Sequence, residues 1–141
     1  MAKKILLPVD LNDPDAAAHP LAEALRLLHE GGTLHVISVL PDFGMAQVSG
    51  FFREGHEKTM LKAFGEKLGD WVRQNVPEAV DVHPHVLHGT IYDQILRAAD
   101  KLGVDVIVMG AQRPELADYL LGPNAARVVR HAKQSVYVVR N

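Results

Sequence analysis

The sequence predicts an α/β fold: a three-layer α/β/α sandwich with a five-stranded, mostly parallel sheet. Three observations carry that expectation. Short apolar runs alternate with stretches whose apolar residues recur every three or four positions, in the order βαβαβαβαβ. The runs are close to continuously apolar, as strands buried on both faces are. The 141 residues suit one domain with a substantial core, so residues 1–141 are expected to form a single domain.

The elements follow in order. "KILLPV" is a first buried strand that ends at Asp10. Ala18, Leu21, Leu25 and Leu28 then recur at helical spacing, and the glycines at 31–32 are expected to stop that helix. Pro20 fits only a first turn, so the helix should start late or bend. "TLHVISVL" is a second strand. Residues 41–55, "PDFGMAQVSGFFREG", have no period and read as a loop. A helix from His56 to Asn75 places Leu61, Phe64, Leu68 and Trp71 on one side, as core. "VDVHPHVLHG" is a third, more polar strand. The next helix carries Ile91, Ile95, Ala98 and Leu102, with Thr90 and Gly103 as its caps. "VDVIVMG" is the fourth strand, residues 125–132 a short helix, and "SVYVVR" the fifth strand.

Composition excludes several function classes. With 15 basic and 17 acidic residues the net charge is −2, which gives no electrostatic case for nucleic acid or an anionic membrane. There is no cysteine, hence no disulfide, thiolate catalysis or cysteine-ligated zinc. The apolar run in "MAKKILLPVD" is too short for a signal-peptide core, and no stretch has the apolar length of a membrane span. A soluble, cytoplasmic protein is expected.

In parallel α/β sheets ligands bind beyond the carboxyl ends of the strands, where strand order reverses. The candidate strand ends are Asp10, Leu40, Gly89 and Gly110. Asp10 can accept from a ribose hydroxyl or an adenine amino group, or hold a metal. It can equally cap the next helix. Gly110 and Gly122 flank the stretch leading into the last helix, whose free N–H groups and partial positive charge suit a phosphate. Both glycines can take positive φ and allow close approach, or simply form a turn and a helix start. Neither a Walker A loop nor a G-x-G-x-x-G fingerprint is present. His83 and His85 share one strand face, as metal ligands can, but no third ligand stands nearby in sequence, and a solvated edge pair is the commoner outcome. Arg127 and Arg130 lie off the apolar face of the last helix, solvated or within reach of a phosphate. The third strand ends in "LHG", without the aspartate a phospho-accepting response regulator needs. No G-x-S-x-G elbow points to a hydrolase.

Several of these stretches together resemble the universal stress protein family, along nearly the whole chain. They are "KILLPVD", "LHVISV", "HGTIYDQILRAA" and above all "VDVIVMGAQRP…LLGPNAARVVRHAKQSVYVVR". The form "RP…YLLG.NAA.VVRHA" is most similar to short single-domain bacterial members. The resemblance implies a five-stranded α/β fold, binding of ATP or AMP, and a homodimer through the last strand, Val136, Tyr137, Val138 and Val139; whether magnesium accompanies ATP is left open. It implies that Pro8, Val9, Asp10 and Val36 line an adenine pocket, with Gly89 as a further wall. Met109 and Gly110 would lie beside ribose and phosphates, and Gly122, Asn124 and Ala125 would cradle phosphate. ATP-binding members typically carry Gly, two residues, Gly, nine residues, then Gly-Ser or Gly-Thr. Here Arg113 replaces the middle glycine, the second gap is one residue shorter, and Pro123 replaces the Ser or Thr. Arg113 brings its own charge toward a phosphate. Pro123 removes one N–H and one hydroxyl.

The leading expectation is therefore a nucleotide-binding stress-response regulator that acts through conformation or a protein partner, with a degenerate phosphate loop. The second is an interaction protein of the same fold that no longer binds nucleotide. Its contact surface would be the apolar loop at 41–55, unless that loop packs over the pocket or a partner subunit. A slow ATPase or kinase is the least supported, since no base or acidic pair stands out beyond Asp10.

Overall fold

A computed structural model describes residues 2–41, 54–111 and 122–140. The expected 41–55 loop falls almost wholly outside the described residues, and Arg113 lies outside them. Strand β1 is Ala2–Pro8, followed by a 3₁₀ turn at Pro14–Ala17 and helix α1 at Ala18–Leu27. Strand β2 is Leu28–Pro41, helix α2 Glu54–Asn75 and strand β3 Asp81–Gly89. Helix α3 is Ile91–Leu102, strand β4 Val106–Gly110, helix α4 Pro123–His131 and strand β5 Ser135–Val139. The sheet order is β3-β2-β1-β4-β5, and every pairing is parallel.

The alternation expected of βαβ units gives two cores, one on each face. On one face α1 and α2 cover Ile5, Leu7, Leu34, Val36 and Val108, with Leu68 fully buried and Trp71 nearly so. On the other, α3 and α4 cover Leu6, Ile37, Ile107 and Met109 through Ile95, Ala98, Ala99, Ala125 and Val128. Near-continuous apolar strands follow directly from this double coverage. At the amino end of the sheet the Asp105 carboxylate accepts from the N–H groups of Lys3 and Lys4, both at 3.0 Å, tying β1 to the entry of β4.

Helix α1 does start late. Pro20 is its third residue, where a missing N–H costs no helical bond, and its buried ring packs inward. The stop is different from the expectation. Helix α1 ends at Leu27, and the glycines at 31–32 lie inside β2 rather than at a helix end. Leu28 joins the strand, pairing with Ala2, and the register then jumps so that Thr33 pairs with Lys4. Gly31 takes φ +82° in this irregularity. At Gly103 the αL cap of α3 is as expected, with φ +66°, whereas the Thr90 side chain makes no capping bond.

Candidate functional site

The strand order reverses between β1 and β4, which makes their carboxyl ends the switch point of the sheet. Pro8, Val9 and Asp10 therefore stand beside Met109, Gly110 and Ala111, although about a hundred residues of chain separate them. Pro8 pairs with Ile37, yet β2 runs on to Pro41, paired with Gly89. The β2–β3 pair thus overshoots β1 by four residues, about 13 Å at 3.3 Å per residue. That overshoot is a wall beside the switch point, and Gly89 is its last residue.

The floor is tightly bonded. The Val9 N–H donates to Ile37 O at 2.8 Å, and the Ser38 hydroxyl donates to Val9 O at 2.8 Å. Ser38 is the one buried polar side chain among the described residues. The sequence offers its signal, a lone hydroxyl in the apolar run "VISVL", but not its partner. Asp10 is exposed. Its Oδ1 accepts from the Asn12 N–H at 2.9 Å, which closes the turn after β1. It does not cap a helix, because Asp13 holds the N-cap position of the 3₁₀ turn. The Asn12 bond uses one carboxylate oxygen, and Oδ2 is not needed for the turn.

Val36 is fully buried and lies level with Leu7 rather than at a strand end, so its side chain is spent on the core. Met109 is likewise buried among α3 and α4 residues. Gly110 is not at positive φ, and neither is Gly122, at −70°. The reason for glycine at 110 is proximity: a Cβ there would meet the Pro20 ring at 3.3 Å, so helix α1 packs against the end of β4. Gly89 does take positive φ, +138°, and a Cβ there would sit 3.0 Å from the Gln94 amide.

Helix α4 begins with Gly122 at N-cap and Pro123 at N1. No side chain caps it, and the Gly122 carbonyl already accepts the first helical bond, from Ala126 N–H at 2.9 Å. The N–H groups of Asn124 and Ala125 are therefore the first-turn donors at the carboxyl end of the sheet. Arg127 lies over the Tyr92 ring, 4.8 Å from its centroid, a cation–π contact with α3 rather than a phosphate ligand. A cleft of about 350 Å³ lies nearby, between the turn after β1 (Leu11, Pro14, Asp15) and α2 (Lys67, Trp71, Asn75). It shares no residue with the set expected from sequence. The switch point, defined by topology, is the better guide to a ligand than this shallow side cleft.

An all-parallel α/β sheet with an uncapped helix N-terminus and an exposed aspartate at its switch point defines a class: small doubly wound domains whose ligand sites suit phosphorylated molecules. Comparison with known proteins narrows the class. Residues 1–140 match the model of the universal stress protein family, and the chain belongs to that family. It is 30% identical to universal stress protein G of Shigella flexneri, over 99% of this chain and 100% of that one. Among solved structures, hypothetical protein MJ0577 superposes with a TM-score of 0.76 at 24% identity, over 99% of this chain and 96% of that one. The universal stress protein of Archaeoglobus fulgidus in complex with dAMP gives 0.60 at 21%, covering 96% and 95%. A universal stress protein in complex with cAMP gives 0.65 at 18%, covering 99% and 97%. No helix among the described residues is long and apolar enough to cross a membrane.

Proposed function

We propose that this chain is a regulatory protein that binds an adenine nucleotide, ATP or AMP, at the β1/β4 switch point. The observation that carries the reading is the meeting there of Asp10 with the β4 end, at the same end of the sheet as the α4 N-terminus. Asp10 Oδ2 accepts from the base or the ribose. The N–H groups of Asn124 and Ala125 donate to phosphate. Gly110 and Gly89 keep the rims low. The two relatives in complex with dAMP and cAMP lend support, since both ligands are adenine nucleotides. Among the described residues Asp10 is the one carboxylate at the site, with no acidic pair or second catalytic group beside it, which favours an output through conformation or a protein partner over turnover. The working form is a cytoplasmic homodimer of single-domain chains paired through β5.

Pro123 sets the strength of the phosphate grip. At N1 it is well placed for the helix, because that N–H has no helical acceptor. It nevertheless withholds one N–H and one hydroxyl from a phosphate. At about 0.5–1.5 kcal/mol per ordinary hydrogen bond, and more to a charged acceptor, two lost donors weaken binding by about tenfold to a few hundredfold.

Calorimetric titration with ATP, AMP and GTP, with and without magnesium, tests the reading. Adenine-selective binding, tightened at least tenfold for ATP by Pro123→Ser, is the expected result. An unchanged affinity in Pro123→Ser would refute the weakened cradle. No binding up to millimolar nucleotide, in both the natural chain and Pro123→Ser, would sink the nucleotide reading and leave the interaction protein of the same fold.

A further inference from the structure

The sequence offers His83 and His85 on one strand face without a third ligand. Strand pairing supplies one. His35 on β2 stands directly opposite His83 in the β2–β3 register. By strand alternation His35, His83 and His85 point to the same face as Ile37 and Leu87, the face covered further along by α3 and α4. At the amino half of β2 and β3 that face turns polar, with Thr33, His35, Asp81, His83 and His85. The His35 ring lies between the other two, its centroid 5.5 Å from that of His83 and 5.2 Å from that of His85.

We propose that His35, His83 and His85 form a binding site for a divalent transition-metal ion of the zinc type, on the opposite side of β1 from the β1/β4 switch point.

Three features of the geometry support this. First, His35 Nδ1 and His85 Nε2 are 3.1 Å apart. Two nitrogens each about 2.05 Å from a tetrahedral ion stand about 3.3 Å apart, so the pair is within a few tenths of an ångström of ligand spacing. Without metal one of these nitrogens donates to the other; on binding, that proton moves to the other nitrogen of the same ring, and both facing nitrogens offer lone pairs to the ion. Second, two histidines at i and i+2 on one strand, with a third on the neighbouring strand, present three imidazoles to one side of a sheet, which is a three-histidine donor set. Third, His83 has the outer support expected of a ligand. Its Nε2 is 2.9 Å from Asp81 Oδ1, and Asp81 in turn accepts from the Thr33 hydroxyl at 2.9 Å. A carboxylate on Nε2 fixes the tautomer and leaves Nδ1 as the lone-pair donor. No three His, Asp or Glu side chains among the described residues already converge on one point. The His35–His85 pair is the preformed half, and His83, moving together with the exposed Asp81 side chain that holds its Nε2, completes the set.

Zinc ion alone is the probe, titrated calorimetrically into chain first dialysed against a chelator. The expected result is one ion per chain. His35→Ala and His85→Ala should each weaken binding by at least tenfold, and Asp81→Asn by about tenfold to a hundredfold through His83. His29→Ala and His131→Ala, exposed and distant, should change nothing. Circular dichroism checks folding. If His35→Ala is not folded, the half-exposed His85→Gln carries the test. Substituting cobalt should give the intense visible bands of a tetrahedral ion, lost in His85→Gln. Absence of zinc binding up to millimolar ion, or binding that survives His35→Ala/His85→Ala, overturns the proposal.

Discussion

Gly32 shows how a single hydrogen atom in place of a side chain sets the path of the chain. A Cβ there would lie 2.7 Å from the Lys3 carbonyl and 2.9 Å from that of His29, both backbone atoms that cannot swing aside. Gly32→Ala should therefore cost about 1–3 kcal/mol, the range of an overpacked site, read as a lower urea midpoint at unchanged slope. Gly31 beside it is needed for a different reason, its φ of +82°. Sequence shows the two glycines but not which constraint each answers. They read as a helix stop because glycine is the usual C-terminal cap, while the crowding at Lys3 exists only once β1 and β2 are paired. The same holds for Gly110, where the neighbour is Pro20 of α1, and for Asp10, whose bond to Asn12 follows from a turn that starts before any helix.

At the scale of elements, what could be read was what local pattern decides. The strands announced themselves as apolar runs, and helices α2 and α3 through Leu68, Trp71, Ile95 and Ala98, all of which are buried. Leu28 misled because its spacing from Leu25 suits a helix, yet its partner is Ala2 in the sheet. Strand order has no local signature, so neither the meeting of β1 with β4 nor that of His35 with His83 could be seen in advance. Strand β5 adds an element-scale prediction. Val139 O accepts from Ala111 N–H, so alternation turns the N–H groups of Val136 and Val138 to the edge with which no described strand pairs. Tyr137 and, on α4, Val129 are large apolar side chains left exposed on these last elements. Light scattering at micromolar concentration should give twice 15.5 kDa. Val138→Pro removes an outward donor without breaking the ladder to β4, and should return the mass to that of one chain.

For the whole molecule, the histidine cluster links stability to pH. The His35 imidazole is held below its ordinary value of 6.5, by burial first, then by His85, His83 and Lys4, with Asp81 opposing. His85 is lowered by burial and by His83. As pH falls below about 6.5 the unfolded chain takes up protons that the folded chain refuses. The stability present above that value is therefore lost as pH drops toward the folded values. Urea midpoints measured in chelator should fall from pH 7.5 to 5.5, and less steeply in His85→Gln. The two margins of the sheet differ in kind as well. Strand β3 carries Pro84 at its centre, paired with Val36, where a missing N–H is tolerated because no described strand pairs with that side. Strand β5 carries no such interruption. A sheet that can be extended on one side only cannot propagate. If two chains join at β5, Pro84 lies at both outer margins of the resulting ten-stranded sheet; assembly is then expected to end at two, with no site on which a head-to-tail fibre grows.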